Sequence, residues 1–149
     1  MKPSKGQLRR GAGDVDYEID MLMQMAKRLN RTNSGGPIAQ AAYLESWAVH
    51  LRCLIEFFHP TRNDTLRAEH YVSDPAAWAK ACPELNRREE RRRKALHELL
   101  AHIEITRDAR KSNWSSADHR IATRRIAVFL GHLPKRRLSW FARARSWFP

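Results

Sequence analysis

The run Arg91-Arg92-Arg93-Lys94-Ala95-Leu96-His97-Glu98-Leu99-Leu100-Ala101-His102 gathers residue types that move protons and hold phosphate. At helical spacing His102 lies at the edge of an apolar face. Glu98 stands one turn before it, Thr106 one turn after, and Arg107 follows directly. A carboxylate four residues earlier raises a histidine's proton affinity and orients its ring. A histidine, a hydroxyl and guanidinium groups within one or two turns suit cleavage of an RNA backbone. The imidazole would move a proton and the cation would steady the phosphorane. The competing reading of the same residues is a bundle helix that carries a half-buried, hydrogen-bonded histidine.

Other enzyme signatures are missing. The chain has no phosphate-binding Gly-rich loop, nucleophile elbow, HExxH or paired CxxC. His59, Asp64 and His70 share one irregular stretch and could meet around a metal, but such spacing arises readily by chance, so neither metal nor cofactor is expected. Cys53 and Cys82 form no disulfide framework, which points to a reducing, cytoplasmic setting. No apolar stretch follows the basic start, so no secretory signal is expected there.

The formal net charge of +12 is concentrated in three blocks. Lys2, Lys5, Arg9 and Arg10 lie in residues 1–13, which hold no acid. Residues 87–94 carry six basic and two acidic groups. The third block is Lys135, Arg136, Arg137, Arg143 and Arg145. Such blocks attract polyanions, nucleic acid first and acidic membrane surfaces second. Arg91, Arg93, Lys94, Arg107, Arg136 and Arg137 are the expected nucleic-acid contacts.

Four long helices must position these groups. Residues 1–13 read as a flexible basic arm. A helix then opens at Asp14 or Asp16 and runs to about Arg31, with Ile19, Leu22, Met23, Ala26 and Leu29 on one face. Thr32 to Pro37 is a breaker. From Ile38 to Phe58, Leu44, Trp47, Ala48, Leu51, Leu54, Ile55 and Phe58 make one apolar stripe, with Arg52 and Glu56 paired outside. Asn63 to His70 can hold a short helix, and Asp74-Pro75 reads as a cap and first helical residue. A third long helix is expected from Pro83 to about Arg107, with Glu89–Arg93 and Glu90–Lys94 as surface pairs. A fourth is capped by Ser115 or Ser116, turns Ile121, Val128 and Phe129 inward, and ends at Gly131. The expectation is therefore an all-α, antiparallel four- to five-helix bundle over 14–133. A basic amphipathic tail follows over 134–149, with Trp140, Phe141, Ala144, Trp147 and Phe148 on one face.

The stretch Leu99-Leu100-Ala101-His102 with Thr106-Arg107 resembles the "LAH" region of HEPN-like helical-bundle proteins. The helix His50-Leu51-Arg52-Cys53-Leu54-Ile55-Glu56-Phe57-Phe58, preceded by Tyr43-Leu44, resembles the "HxRxLIxFF" helix of an uncharacterised bacterial branch of that superfamily. The Asp/Arg-rich stretch that follows this helix there is similar to Arg62-Asn63-Asp64-Thr65-Leu66. The likeness spans roughly residues 17–130. It implies a four- to five-helix bundle, usually dimeric, whose active members cleave RNA without metal, using an Arg and a His four to six residues apart. His102 takes the histidine's place, but Ala95, Leu96 and His97 stand where its arginine belongs. Arg92 and His97 fit the spacing, as do Arg91 and His97, though without the "LAH" context. Either Arg92–His97 is the working pair or the motif has decayed.

Three function classes follow. The first is an RNA-binding or RNA-cleaving protein of the toxin or phage-defence kind. The second is a catalytically inactive module acting through homodimerisation or a companion protein. The third is attachment of the tail to a membrane surface, against which the same aromatic residues could fold back onto the bundle or stack on single-stranded bases.

Overall fold

The computed structural model describes residues 3–31, 35–62, 65–101 and 116–148, without the side chains of 88, 92, 97–101 and 116. The chain is all-α. Its helices are α1 (Lys5–Leu29), α2 (Gly36–Phe58), α3 (Pro75–Ala81), α4 (Arg87–Ala101), α5 (Ser116–His132), α6 (Lys135–Leu138) and α7 (Ala142–Trp147). Single 3-10 turns lie at Ala68–His70 and Ser139–Phe141. No helix among the described residues is long and apolar enough to cross a membrane.

The basic arm is a correction: its residues from Lys5 onward are the first turns of α1. Ser4 accepts a hydrogen bond from the Gln7 amide at 3.2 Å, and the Gln7 side chain accepts from the Ser4 amide at 2.8 Å. This reciprocal box satisfies two donors that a helix start otherwise leaves unpaired. Three glycines weaken the intrinsic helix, but Leu8, Ala12 and Val15 are buried and supply the packing that holds it. Gly11 is required by close approach. A Cβ there would collide with Leu66 Cδ1 and come within 2.7 Å of the Tyr71 hydroxyl.

Of the courses open to the tail, it takes the one of packing on its own bundle. It folds back along α1, with Phe141 and Ala144 fully buried. Asp16, only 7% exposed, accepts from the amides of Ala144 at 2.8 Å and Arg143 at 3.3 Å. Asp20 accepts from Trp147 Nε1 at 2.8 Å, and Lys27 lies over the Trp147 ring. The aromatic face of the tail is spent on its own bundle, with Arg143 and Arg145 left exposed. Asp16→Ala strands two amides at a buried site. It is expected to cost about 1–3 kcal/mol and to shift Trp147 fluorescence to the red. An unchanged spectrum and melting temperature would refute the clamp.

Phe129 of α5 is the hub of the core. Its ring meets Phe57 at 5.2 Å, Phe141 at 5.4 Å, Phe58 at 5.8 Å and Trp78 at 5.9 Å between centroids, mostly edge to face. α2 presents Trp47, Ala48, Leu51, Leu54, Phe57 and Phe58 to this core, following its apolar stripe. It starts at Gly36, two residues before Ile38, behind a left-handed Gly35 (φ 87°). Asp74 caps α3 as expected, accepting from the amides of Ala76 and Ala77.

α4 starts at Arg87 rather than at Pro83, because Asn86 and Glu89 form a second reciprocal box at 2.9 and 3.0 Å. Glu89 and Arg93 do not simply face one another on the surface. Glu89 binds Arg125 at 2.8 Å, and Arg93 bonds Glu90 within α4 and Glu56 of α2 at 3.4 Å. Gly131 lies inside α5 rather than ending it. Ile121, expected inside, is 39% exposed, while Ala122, Ile126 and Leu130 are buried beside Phe129.

Candidate nucleic-acid interface

Folding the tail onto α1 joins two of the three basic blocks in one packed unit. Lys5, Arg9 and Arg10 are exposed on the first turns of α1; Lys135, Arg136, Arg143 and Arg145 are exposed on α6 and α7. Between them Tyr71 packs edge-on against Phe141, and its hydroxyl approaches Gly11. Of the acids on this part of α1, Asp16 and Asp20 are occupied by the tail, while Asp14 is exposed and acts on Tyr71.

The expected contacts divide into free and committed cations. Arg91, Lys94 and Arg136 are exposed. Arg93 is tied to Glu56 and Glu90. Arg137 donates to the His70 carbonyl at 2.7 Å and lies 5.8 Å over the Trp140 ring. Burial, and then the neighbouring Arg136 charge, lower its pKa. Arg92 and His97 both lie on α4, but their side chains are outside the described residues. His102, Thr106 and Arg107 are outside them altogether. Among the described residues no three His, Cys, Asp or Glu side chains converge as metal ligands.

Sequence reasoning missed a polar hub joining α2, α3, α4 and α5. Arg125 Nη1 donates to His59 Nε2 and reaches Cys82 Sγ and the Pro83 carbonyl, both at 3.3 Å. Its Nη2 donates to Glu89 at 2.8 Å, and both side chains are 16% exposed. An apolar cavity of about 50 Å³, walled by Leu51, Leu54, Ile55, Phe58 and Ala122, adjoins the pair and limits its screening. Burial and the Arg125 charge push His59 down to about 4. It is therefore neutral near pH 7, with its proton on Nδ1 because Nε2 accepts. Burial raises the Cys82 thiol and keeps it protonated. Burial also pushes Glu89 upward, but hydrogen bonds from Arg125 and the Asn86 amide outweigh it and its pKa falls. These groups satisfy one another and brace the fold. The legible signal was Arg125 itself, which sits directly before Ile126 and one turn before Phe129, both of them buried on α5.

A second missed pair is His50 Nδ1 with Glu18 Oε2 at 2.7 Å, joining α2 to α1, with Tyr17 edge-on to the imidazole. The HxRxLIxFF histidine thus has a partner on α1. Comparison with family models, curated proteins and solved structures gives no match to this chain.

Proposed function

We propose that this chain is a small basic helical-bundle protein directed at RNA, of the toxin or phage-defence kind. It grips the phosphate backbone through the surface shared by α1, α6 and α7. The observation that carries this reading is the docking of the tail, which sets exposed cations of both terminal blocks on neighbouring helices while internal partners occupy Asp16 and Asp20. Cations carried on packed helices meet a polyanion without the added cost of ordering a loop. The HEPN-like resemblance supplies the RNA side of the reading by analogy. Cleavage, in this reading, falls to Arg92 with His97, or to His102, with Arg107 as a backbone contact.

A catalytically inactive homodimerising module is the second reading. It is favoured by Ile38 at 88% and Val49 at 42% exposure on one side of α2, apolar surface that the bundle leaves uncovered.

The test is binding of a mixed RNA pool over a range of salt concentrations, with His97→Ala and His102→Ala variants monitored for cleavage. Affinity is expected to fall linearly on a log–log plot. The double variant Arg9→Gln/Arg10→Gln should flatten the slope by roughly 0.7 for each single-strand phosphate it no longer neutralises. Loss of cleavage in one histidine variant names the catalytic group. A folded protein that ignores RNA at low salt ends the RNA reading and leaves the dimer.

A further inference from the structure

We propose that Arg136 and Arg137 of α6, together with His70 of the 3-10 turn Ala68–His70, form a phosphate subsite. It rests on the RNA reading and names where one backbone phosphate is held.

The site is built in advance. Arg137 is fixed twice, by its bond to the His70 carbonyl at 2.7 Å and by the Trp140 ring beneath it at 5.8 Å. A guanidinium held in this way presents its remaining donors as a fork suited to two phosphate oxygens. His70 is fixed as well. Its Nδ1 accepts from the Arg67 amide at 3.3 Å, which places the proton of the neutral ring on Nε2. The nearest acid, Glu69, is 4.0 Å from Nε2, and Arg67 Nε already holds its carboxylate at 3.2 Å. The His70 side chain is 20% exposed, so a solvent-side anion has access to it.

Charge balance favours an anion at this place. Arg67 and Glu69 offset one another. Arg136 and Arg137 remain side by side, with Lys135 exposed next to them. The opposing acid, Asp14 of α1, acts on the Tyr71 hydroxyl, which also feels Arg137. That hydroxyl is buried and has no hydrogen-bond partner among the described residues. Like-charged neighbours on a rigid turn repel, and a bound phosphate relieves the repulsion. Burial and then the Arg67 charge lower the pKa of His70, so its ring is neutral near pH 7 and offers a donor rather than a charge.

The probe is a fluorescently labelled single-stranded RNA of about 12 nucleotides, within the span of known single-strand sites, titrated into the full chain at several salt concentrations. Arg136→Gln is expected to weaken binding about five- to tenfold and to reduce the salt slope by about 0.7. His70→Gln should weaken it about threefold with little change in slope, because the neutral ring contributes a donor and no charge. Arg137→Lys keeps the charge and loses the fork, so affinity should fall at unchanged slope. Lys80→Gln on α3 serves as the control and should match the wild type. Thermal melts confirm folding. Because Arg136 is exposed, its variant keeps the test decisive even if changes at Arg137 loosen the turn. Tight binding with wild-type slope in both Arg136→Gln and His70→Gln would overturn the subsite and leave the RNA reading standing. Absence of binding by the folded wild type would end both.

Discussion

Arg125→Met is expected to destabilise the protein by about 3 kcal/mol in urea unfolding, the largest effect of any single change at its polar groups. Methionine fills much of the volume, so the loss is electrostatic and hydrogen-bonded rather than a cavity cost. It leaves the Glu89 carboxylate unpaired at 16% exposure beside an apolar cavity, and removes the donor shared by His59, Cys82 and the Pro83 carbonyl. Breaking one half of a buried pair costs more than the pair is worth, because the surviving charge keeps its desolvation penalty. Arg125→Met/Glu89→Gln should therefore lose less than the sum of the single variants. Arg125→Lys should fall between, since an ammonium cannot span Glu89 and His59 with one planar fork. A loss under about 1 kcal/mol for Arg125→Met, the range of an exposed ion pair, would show that the hub is a surface network.

Acid should weaken the fold through the same hub. His59 has a folded pKa of about 4 against an ordinary 6.5, owing to burial and the Arg125 charge. The unfolded chain therefore takes up this proton first as pH falls. The stabilising contribution of neutral His59 is complete above pH 6.5 and drains away between 6.5 and 4. Its size is about 2–3 kcal/mol after allowance for partial exposure. Glu89, whose folded pKa is depressed, acts in a lower window: its contribution is present above the ordinary carboxylate value and is lost as pH falls through the folded one. His70 and His119 are also lowered, so the whole protein's acid sensitivity is shared. The difference between wild type and His59→Gln isolates one residue, because glutamine keeps an acceptor for Arg125 but does not titrate. Urea unfolding from about pH 7 to about 4.5 should show a steeper decline in the wild type. Parallel curves would mean that His59 titrates normally.

These effects bear on function through geometry. The hub fastens α4, the helix that carries Arg91, Arg92, Lys94 and His97, to α5, and α5 leads into the basic α6. A change at Arg125 that altered RNA binding would therefore be judged at matched fraction folded. The subsite residues on α6 and on the 3-10 turn Ala68–His70 lie outside the hub and can be varied without it.

The amino-acid sequence by itself placed the long helices, though not all their ends, and marked the inward faces of α1 and α2. An apolar stripe at the helical repeat is a local property, so Trp47, Leu51, Leu54 and Phe58 identify the buried side of α2 without knowledge of its neighbours. Caps are equally local: Asp74-Pro75 marks the start of α3, and Ser4 with Gln7 marks the start of α1 to anyone who looks past the glycines. The blocks of positive charge were legible too, as composition. Tertiary structure alone decided which charges are free. Glu89 is bonded to a residue 36 positions away, Asp16 to an amide 128 positions away, and Arg137 to a carbonyl 67 positions away. No periodicity encodes those pairings, because each depends on how helices pack rather than on spacing within one. The same holds for the tail. Its aromatic face suits a membrane, a nucleobase or its own bundle equally well, and the choice was made by Asp16 and Asp20, held on α1 where the tail's amides and indole could reach them.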